Sequence, residues 1–353
     1  MELLQQTIHN IPPVDHQAAA AVKRRYDSLT KPQGSLGELE TLVANYAGMT
    51  GEPLPSIPRK AMVLMAGDHG VAVHGISAYP QEVTVQMVYN YLSGGAGANV
   101  LARHAGADMF IVDVGVRVDL KEHPRLINRK IAYGTEDFTR GPAMSREQAV
   151  KGLEVGIEIA NMCIDQGYGL FALAEMGIGN TTATAAIASV FTGLPPELAV
   201  GRGSGIGDGR LKVKLQAVQQ ALKVNKPNRD DALDVLSKLG GYDIAGLAGV
   251  ILGGAARRVP TVVDGVIATG AALIAASLAP AARNYMIGSH LSAEPAHGKM
   301  LEVLGLRAVL DMGMRLGEGT GACLAMTLLD AGIKLLRDMA TFEEAGVATA
   351  EPK

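Results

Sequence analysis

The sequence contains no tryptophan and only two cysteines, Cys163 and Cys323. Both fall inside apolar helical patterns, and two thiols supply neither a zinc cluster nor a disulfide framework, so a reducing, cytoplasmic setting is expected and no metal site. Excess positive charge is missing as well. Thirty-two Lys and Arg stand against thirty-five Asp and Glu, a formal net charge of −3, which lacks the electrostatic footprint of a nucleic-acid binder and points to a small-molecule partner. The opening Met-Glu-Leu-Leu-Gln-Gln-Thr has no basic region followed by an apolar stretch, so no secretory signal is expected. One uncharged run lies between Asp264 and Arg283 and approaches the roughly 18 to 20 residues that cross a bilayer. Thr269, Gly270, Ser277 and Pro280 dilute it, and its Ala and Gly content suits a buried strand-helix unit, so no membrane association is expected.

What the chain has instead is glycine and methionine, 43 and 15 of its 353 residues. That mixture describes many tight βα turns and an adaptable apolar surface. The length allows one large domain with a smaller appendage. Residues 1–57 differ from the rest of the chain. Asp15 to Gly51 carries apolar positions at helical spacing, broken at Thr30-Lys-Pro-Gln-Gly-Ser-Leu-Gly37, and prolines at 53, 55 and 58 read as a linker. From Lys60 onward, short apolar runs alternate with helical stretches, the signature of βαβ units and a parallel sheet. Six strands are predicted: 61–66, 109–114, 170–174, 261–266, 285–287 and 308–310. Helices are predicted over 82–104, 145–165, 182–190, 211–224, 231–239, 244–258, 294–304 and from 322 to 336. Most strands end in a polar residue beside a glycine, which gathers polar groups at one edge of the sheet. The division is 1–57, 58–336 and 337–353, with the last segment folding back onto the N-terminal helices.

Three glycine-rich stretches could carry chemistry. In Arg315-Leu-Gly-Glu-Gly-Thr-Gly321, Glu318 sits on a strand-to-helix loop with almost no side-chain cover, so a ligand can approach the carboxylate closely. The plainer reading is an acidic residue at a helix N-terminus, favoured by the helix dipole. Glu175-Met-Gly177-Ile-Gly179-Asn180-Thr181-Thr182 precedes an alanine-rich helix and could cradle a phosphate, or simply be a capped helix start. Gly201-Arg202-Gly203-Ser204-Gly205, followed by Lys212 and Lys214, adds the positive charge that favours phosphate, or is a solvated connecting loop. Gly317-x-Gly319-x-x-Ala322 also matches the dinucleotide fingerprint. A glutamate inside that turn would repel a pyrophosphate, and too little chain remains for the next strand. His69 and His74 lack the i, i+4 spacing of zinc-binding pairs. Tyr79-Pro80, with Met87 and Tyr91 on the next helix, could wall a flat apolar ligand or belong to the core.

Taken together, Leu29-Thr-Lys-Pro-Gln-Gly-Ser-Leu-Gly37, Gly67-Asp-His-Gly70, Glu175 to Thr182, Ser289-His-Leu-Ser-Ala-Glu294 and Arg315 to Ala322 resemble the nicotinate-nucleotide:dimethylbenzimidazole phosphoribosyltransferases of the cobalamin lower-ligand pathway. The resemblance runs in order from about residue 20 to 345. It implies transfer of phosphoribose from nicotinate mononucleotide to 5,6-dimethylbenzimidazole, without a cofactor. It also implies a homodimer with a six-stranded Rossmann-like parallel sheet, and a small helical domain built from both chain ends that completes the neighbouring subunit's cavity. Glu318 falls on the family's catalytic base and Glu175 on a second active-site carboxylate. Gly203, Lys214 and Ser292 fall near the ribose phosphate, and Leu316, Tyr79 and Pro80 on the wall around the base. The chain departs from the family at Asp243, where a Glu is expected, and at Met87, where a Gln can stand, so the preferred base stays open. A nicotinamide-dependent oxidoreductase and a non-catalytic nucleotide sensor are the alternatives.

Overall fold

The computed structural model describes residues 1–349. At its centre is a six-stranded sheet, β1 (Arg59–Gly67), β2 (Ala107–Gly115), β3 (Leu126–Asn128), β4 (Tyr168–Met176), β5 (Thr261–Val263) and β6 (Met286–Gly288). The spatial order is β3-β2-β1-β4-β5-β6, and every neighbouring pair is parallel. The order reverses between β1 and β4, and in open α/β sheets ligands bind beyond the carboxyl ends of the strands at such a point. The central strands are apolar along nearly their whole length, as strands covered on both faces must be. In β1, Met65 points at Gly246 of the helix Tyr242–Ala256, whereas Met62, three residues back, points at Gly319 at the start of the helix Thr320–Asp338. Residues an odd number apart face opposite sides of a strand, so these two helices cover opposite faces.

Glycine sets the helix packing on one of those faces. The helices Arg146–Asp165 and Tyr242–Ala256 cross with their backbones almost touching. A Cβ on Gly156 would overlap the Gly246 carbonyl, and one on Gly249 the Leu153 carbonyl. Over the other face, His16–Ser28 and Glu38–Thr50 pack against Thr320–Asp338, and the Tyr26 hydroxyl donates to the Gly332 carbonyl at 2.8 Å. The two chain ends meet in an antiparallel bridge between Leu29 and Thr341. The uncharged run after Asp264 is a buried helix, Val266–Leu278. Among the described residues no helix is long and apolar enough to cross a membrane.

Several expectations change. The triplet 308–310 makes a single bridge, His290 to Leu310, and not a strand, because it meets the chain only beyond the end of β6. The sixth strand is instead the edge segment β3, which three residues without a clear alternation do not announce. The single helix over 82–104 is two, Val83–Ser93 and Gly97–Ala105, because Gly94 takes the left-handed conformation that ends the first. Residues 2–9 add a helix, and β5 stops at Val263 so that Val266 already begins the next one. The boundary at 336 falls inside Thr320–Asp338, and the last four residues of the segment 337–353 lie outside the described residues.

Candidate active site

A cavity of about 690 Å³ opens at the carboxyl ends of β4 and β5. Glu175 is the penultimate residue of β4, and Asp264 follows β5 directly. Glu318 comes in from the other side on the loop that starts Thr320–Asp338. All three carboxyls line the cavity.

The Glu318 loop is held in an unusual shape. Gly317, Glu318 and Gly319 have φ of 77°, 59° and 76°, three left-handed residues in succession. For glutamate that conformation is costly, of order 1 to 2 kcal/mol, and persists only when the surroundings impose it. Two buried carboxylates impose it here. Glu175 Oε1 accepts the Glu318 backbone N–H at 3.0 Å, and Asp264 accepts those of Gly319 and Ala322 at 3.1 and 2.9 Å. Asp264 therefore acts as the N-terminal cap of the helix, and the flanking glycines let the chain pass. A Cβ on Gly317 would sit 2.5 Å from Glu175 Oε1.

Burial raises the Glu318 carboxyl to a pKa of about 6, with Asp264 adding to the shift and the nearby Tyr91 hydroxyl opposing it. Glu175 is pushed well above the usual carboxylate range, first by burial and then by Asp243, Glu318 and Asp264, against the Glu318 N–H that favours its charged form. The Asn180 side-chain amide donates to its second oxygen. These carboxyls share too little solvent for all of them to ionise together.

The other half of the cavity is built from backbone. Gly177, Gly179, Asn180, Thr181, Gly203, Ser292 and Glu294 line it. Gly179 is the N-cap of Asn180–Thr192, in the left-handed region, so neither Asn180 nor Thr181 caps the helix. Asn180 is spent on Glu175, and the Thr181 hydroxyl accepts from Lys214 at 2.9 Å. Lys214 is buried beneath this wall, also donating to the Gly201 carbonyl at 3.1 Å, and burial lowers it to about 8. Glu294 accepts the Gly203 N–H at 2.8 Å. Arg202 turns away, its guanidinium bound to Asp208 and the Ile206 carbonyl. Arg315 is the cation on the cavity lining and donates to the Gly203 carbonyl at 3.0 Å.

Tyr79, Val83, Met87, Met176, Ile178 and Leu316 form the apolar side, and Pro80 stays outside the lining. Tyr79 and Leu316 remain 55% and 58% exposed, so this side stands open at its rim. Asp243 does not cap its helix. It is fully buried, 3.0 Å from His69 Nε2, and the pair lies directly beneath Gly177 and Gly179. Sequence reasoning missed Asp264, Glu294 and Arg315 as site residues. The signal for Asp264 was a carboxylate at a strand end followed by glycine and a helix; Glu294 and Arg315 lay inside motifs already singled out.

A doubly wound parallel sheet with buried carboxyls facing a backbone cradle at its strand ends defines an α/β protein with a small-ligand site at its switch point. Comparison with known proteins narrows the class. A phosphoribosyltransferase family model matches residues 11–347, and the chain belongs to that family. It is 56% identical over 348 residues to the nicotinate-nucleotide–dimethylbenzimidazole phosphoribosyltransferase of Chloroflexus aggregans, covering 99% of both chains. It is 50% identical to the protein of that name from Geobacter sulfurreducens, over 99% of this chain and 100% of the relative. The crystal structure of the Thermus thermophilus nicotinate-nucleotide-dimethylbenzimidazole phosphoribosyltransferase superposes with a TM-score of 0.90 at 44% identity, covering 95% of this chain and 100% of that one.

Proposed function

We propose that this pocket moves phosphoribose from nicotinate mononucleotide to 5,6-dimethylbenzimidazole, giving α-ribazole 5′-phosphate and nicotinate. The observation that carries the reading is Glu318, a half-buried carboxyl raised to about 6 at the junction of the apolar wall and the acidic floor. Nicotinate is already a good leaving group, since the departing electron pair neutralises its ring nitrogen and no acid is needed. The incoming imidazole must lose its N–H proton as the other nitrogen attacks C1′. Glu318 takes that proton, and a pKa near the working pH suits a general base. Glu175 faces the positive charge of the pyridinium and then of the ribose; a cation opposite it favours its ionised form, which burial alone disfavours. Attack from the face opposite nicotinate turns the β bond into α. The phosphate lies against Gly177, Gly179, Asn180, Thr181, Gly203 and Ser292, with Lys214 beneath them, and the benzimidazole against Tyr79, Met87 and Leu316.

The half-exposed Tyr79 and Leu316 support a homodimer in which the partner subunit closes the apolar side. The Leu29–Thr341 bridge supports a small helical unit made from both chain ends. Two buried free cysteines are compatible with a cytoplasmic location. Mass detection of products from nicotinate mononucleotide offered with a panel of benzimidazoles tests the reading. Release of nicotinate with a matching α-ribazole phosphate is expected. Binding without release would make the chain a sensor, and an absorbance change at the reduced-nicotinamide band with candidate alcohols would make it an oxidoreductase.

A further inference from the structure

Three histidines are buried among the described residues, His69, His290 and His297, and the reaction uses none of them directly. His297 opens the helix His297–Leu304 and is wholly inaccessible to solvent. Its Nδ1 accepts the backbone N–H of Ser292 at 2.8 Å, and its Nε2 lies 2.9 Å from the Thr269 hydroxyl. That hydroxyl donates to the Gly265 carbonyl at 2.9 Å. The three contacts admit one placement of protons. A backbone N–H can only donate, so Nδ1 carries a lone pair. The Thr269 proton is used on Gly265, so the Thr269 oxygen accepts and Nε2 carries the ring proton. An imidazolium would set an N–H against the Ser292 N–H. Burial, and then the neighbouring His290, lower His297 to about 3 and keep the ring neutral at ordinary pH.

The contacts continue beyond Ser292. Its Oγ accepts the Glu294 backbone N–H at 3.3 Å, and the Glu294 carboxylate accepts the Gly203 N–H at 2.8 Å. Ser292, Glu294, Gly203 and Gly265 all line the cavity, whereas His297 and Thr269 do not. We propose that His297 is a positioning residue: held in one tautomer by Thr269, it locks the Ser292 backbone, and through Glu294 the Gly203 loop, into the shape that receives the ribose phosphate. It joins the loop after β5 to the segment after β6, so two cavity walls move as one. This rests on the assignment of Ser292 and Gly203 to the nucleotide.

Steady-state kinetics with each substrate varied separately tests it. His297→Leu leaves the Ser292 N–H buried without an acceptor and is expected to raise the KM for nicotinate mononucleotide about tenfold, with the KM for the base unchanged. His297→Asn places Oδ1 where Nδ1 stood and is expected to stay within about twofold of wild type. A folded His297→Leu enzyme with an unchanged nucleotide KM overturns the proposal, as does an equal rise for both substrates or an Asn variant no better than Leu. If His297→Leu fails to fold, Thr269→Val reads the same link. It removes the acceptor of the Nε2 proton and loosens the ring's hold on Ser292, so about a threefold rise in nucleotide KM is expected, and no rise overturns the proposal. Lys214→Met separates the premise from the inference. An unchanged nucleotide KM there sinks the half-site assignment and the proposal with it, whereas a raised one beside a normal His297→Leu enzyme sinks the positioning role alone.

Discussion

At the scale of single residues, the proposed reaction turns on Glu318, whose environment gives it opposite effects on rate and on stability. As the proposed base it must be unprotonated, so kcat is expected to rise with pH and level off above about 6. Its folded pKa lies above the ordinary 4.5, so the protonated form favours the fold. That contribution is complete below 4.5 and is lost as pH rises through about 6. Glu318→Gln is therefore expected to lose at least about a hundredfold in kcat while still binding nicotinate mononucleotide. Melting followed by circular dichroism should find it more stable than wild type at pH ~7.5, the gap closing toward pH ~4.5. A variant with near-normal turnover would remove the mechanism. Glu318 was legible in the sequence because glycines surround it. Glu175 was singled out as a second carboxylate, but that it and Asp264 hold the Glu318 backbone was not legible, since only the order of the sheet brings them to the same loop.

At the scale of elements, glycine does two separable jobs, and two alanine substitutions should tell them apart. Gly317→Ala adds a Cβ 2.5 Å from Glu175 Oε1 at a residue with φ of 77°. It should displace the carboxyl and cut kcat by at least about tenfold, with strain of order 1 to 3 kcal/mol. Gly156→Ala instead wedges two helices apart at a residue outside the cavity lining. It should cost about 2 kcal/mol or more in urea unfolding and leave kcat per folded molecule unchanged. The sequence announced the long, periodic elements within a few residues of their ends. It concealed β3 and misplaced the triplet 308–310, because three apolar residues do not distinguish a strand from a loop that happens to bridge one. The split at Gly94-Gly95 was legible and was overridden by apolar spacing that continues across it.

At the scale of the whole molecule, the N-terminal helices contribute no residue to the cavity lining yet are coupled to it. His16–Ser28 and Glu38–Thr50 cover Thr320–Asp338, whose first turn holds the Glu318 loop, and the Lys60–Asp330 ion pair fixes the same helix to β1. Removing residues 1–57 is expected to abolish turnover and solubility together, the first by loosening the Glu318 loop and the second by uncovering Tyr26's apolar neighbours. Tyr26→Phe, which deletes the bond to the Gly332 carbonyl, should cost only about 1 kcal/mol in thermal or urea unfolding. A shortened chain that stayed soluble and active would show that the helices are an ornament to the sheet. In the proposed reaction the acidic floor formed by Glu175, Asp264 and Glu318 also gives the cycle a direction. A ring that arrives with a positive charge and departs as a bare anion is welcomed and then repelled by the same groups, so the spent heterocycle should inhibit feebly and turnover should clear its own path.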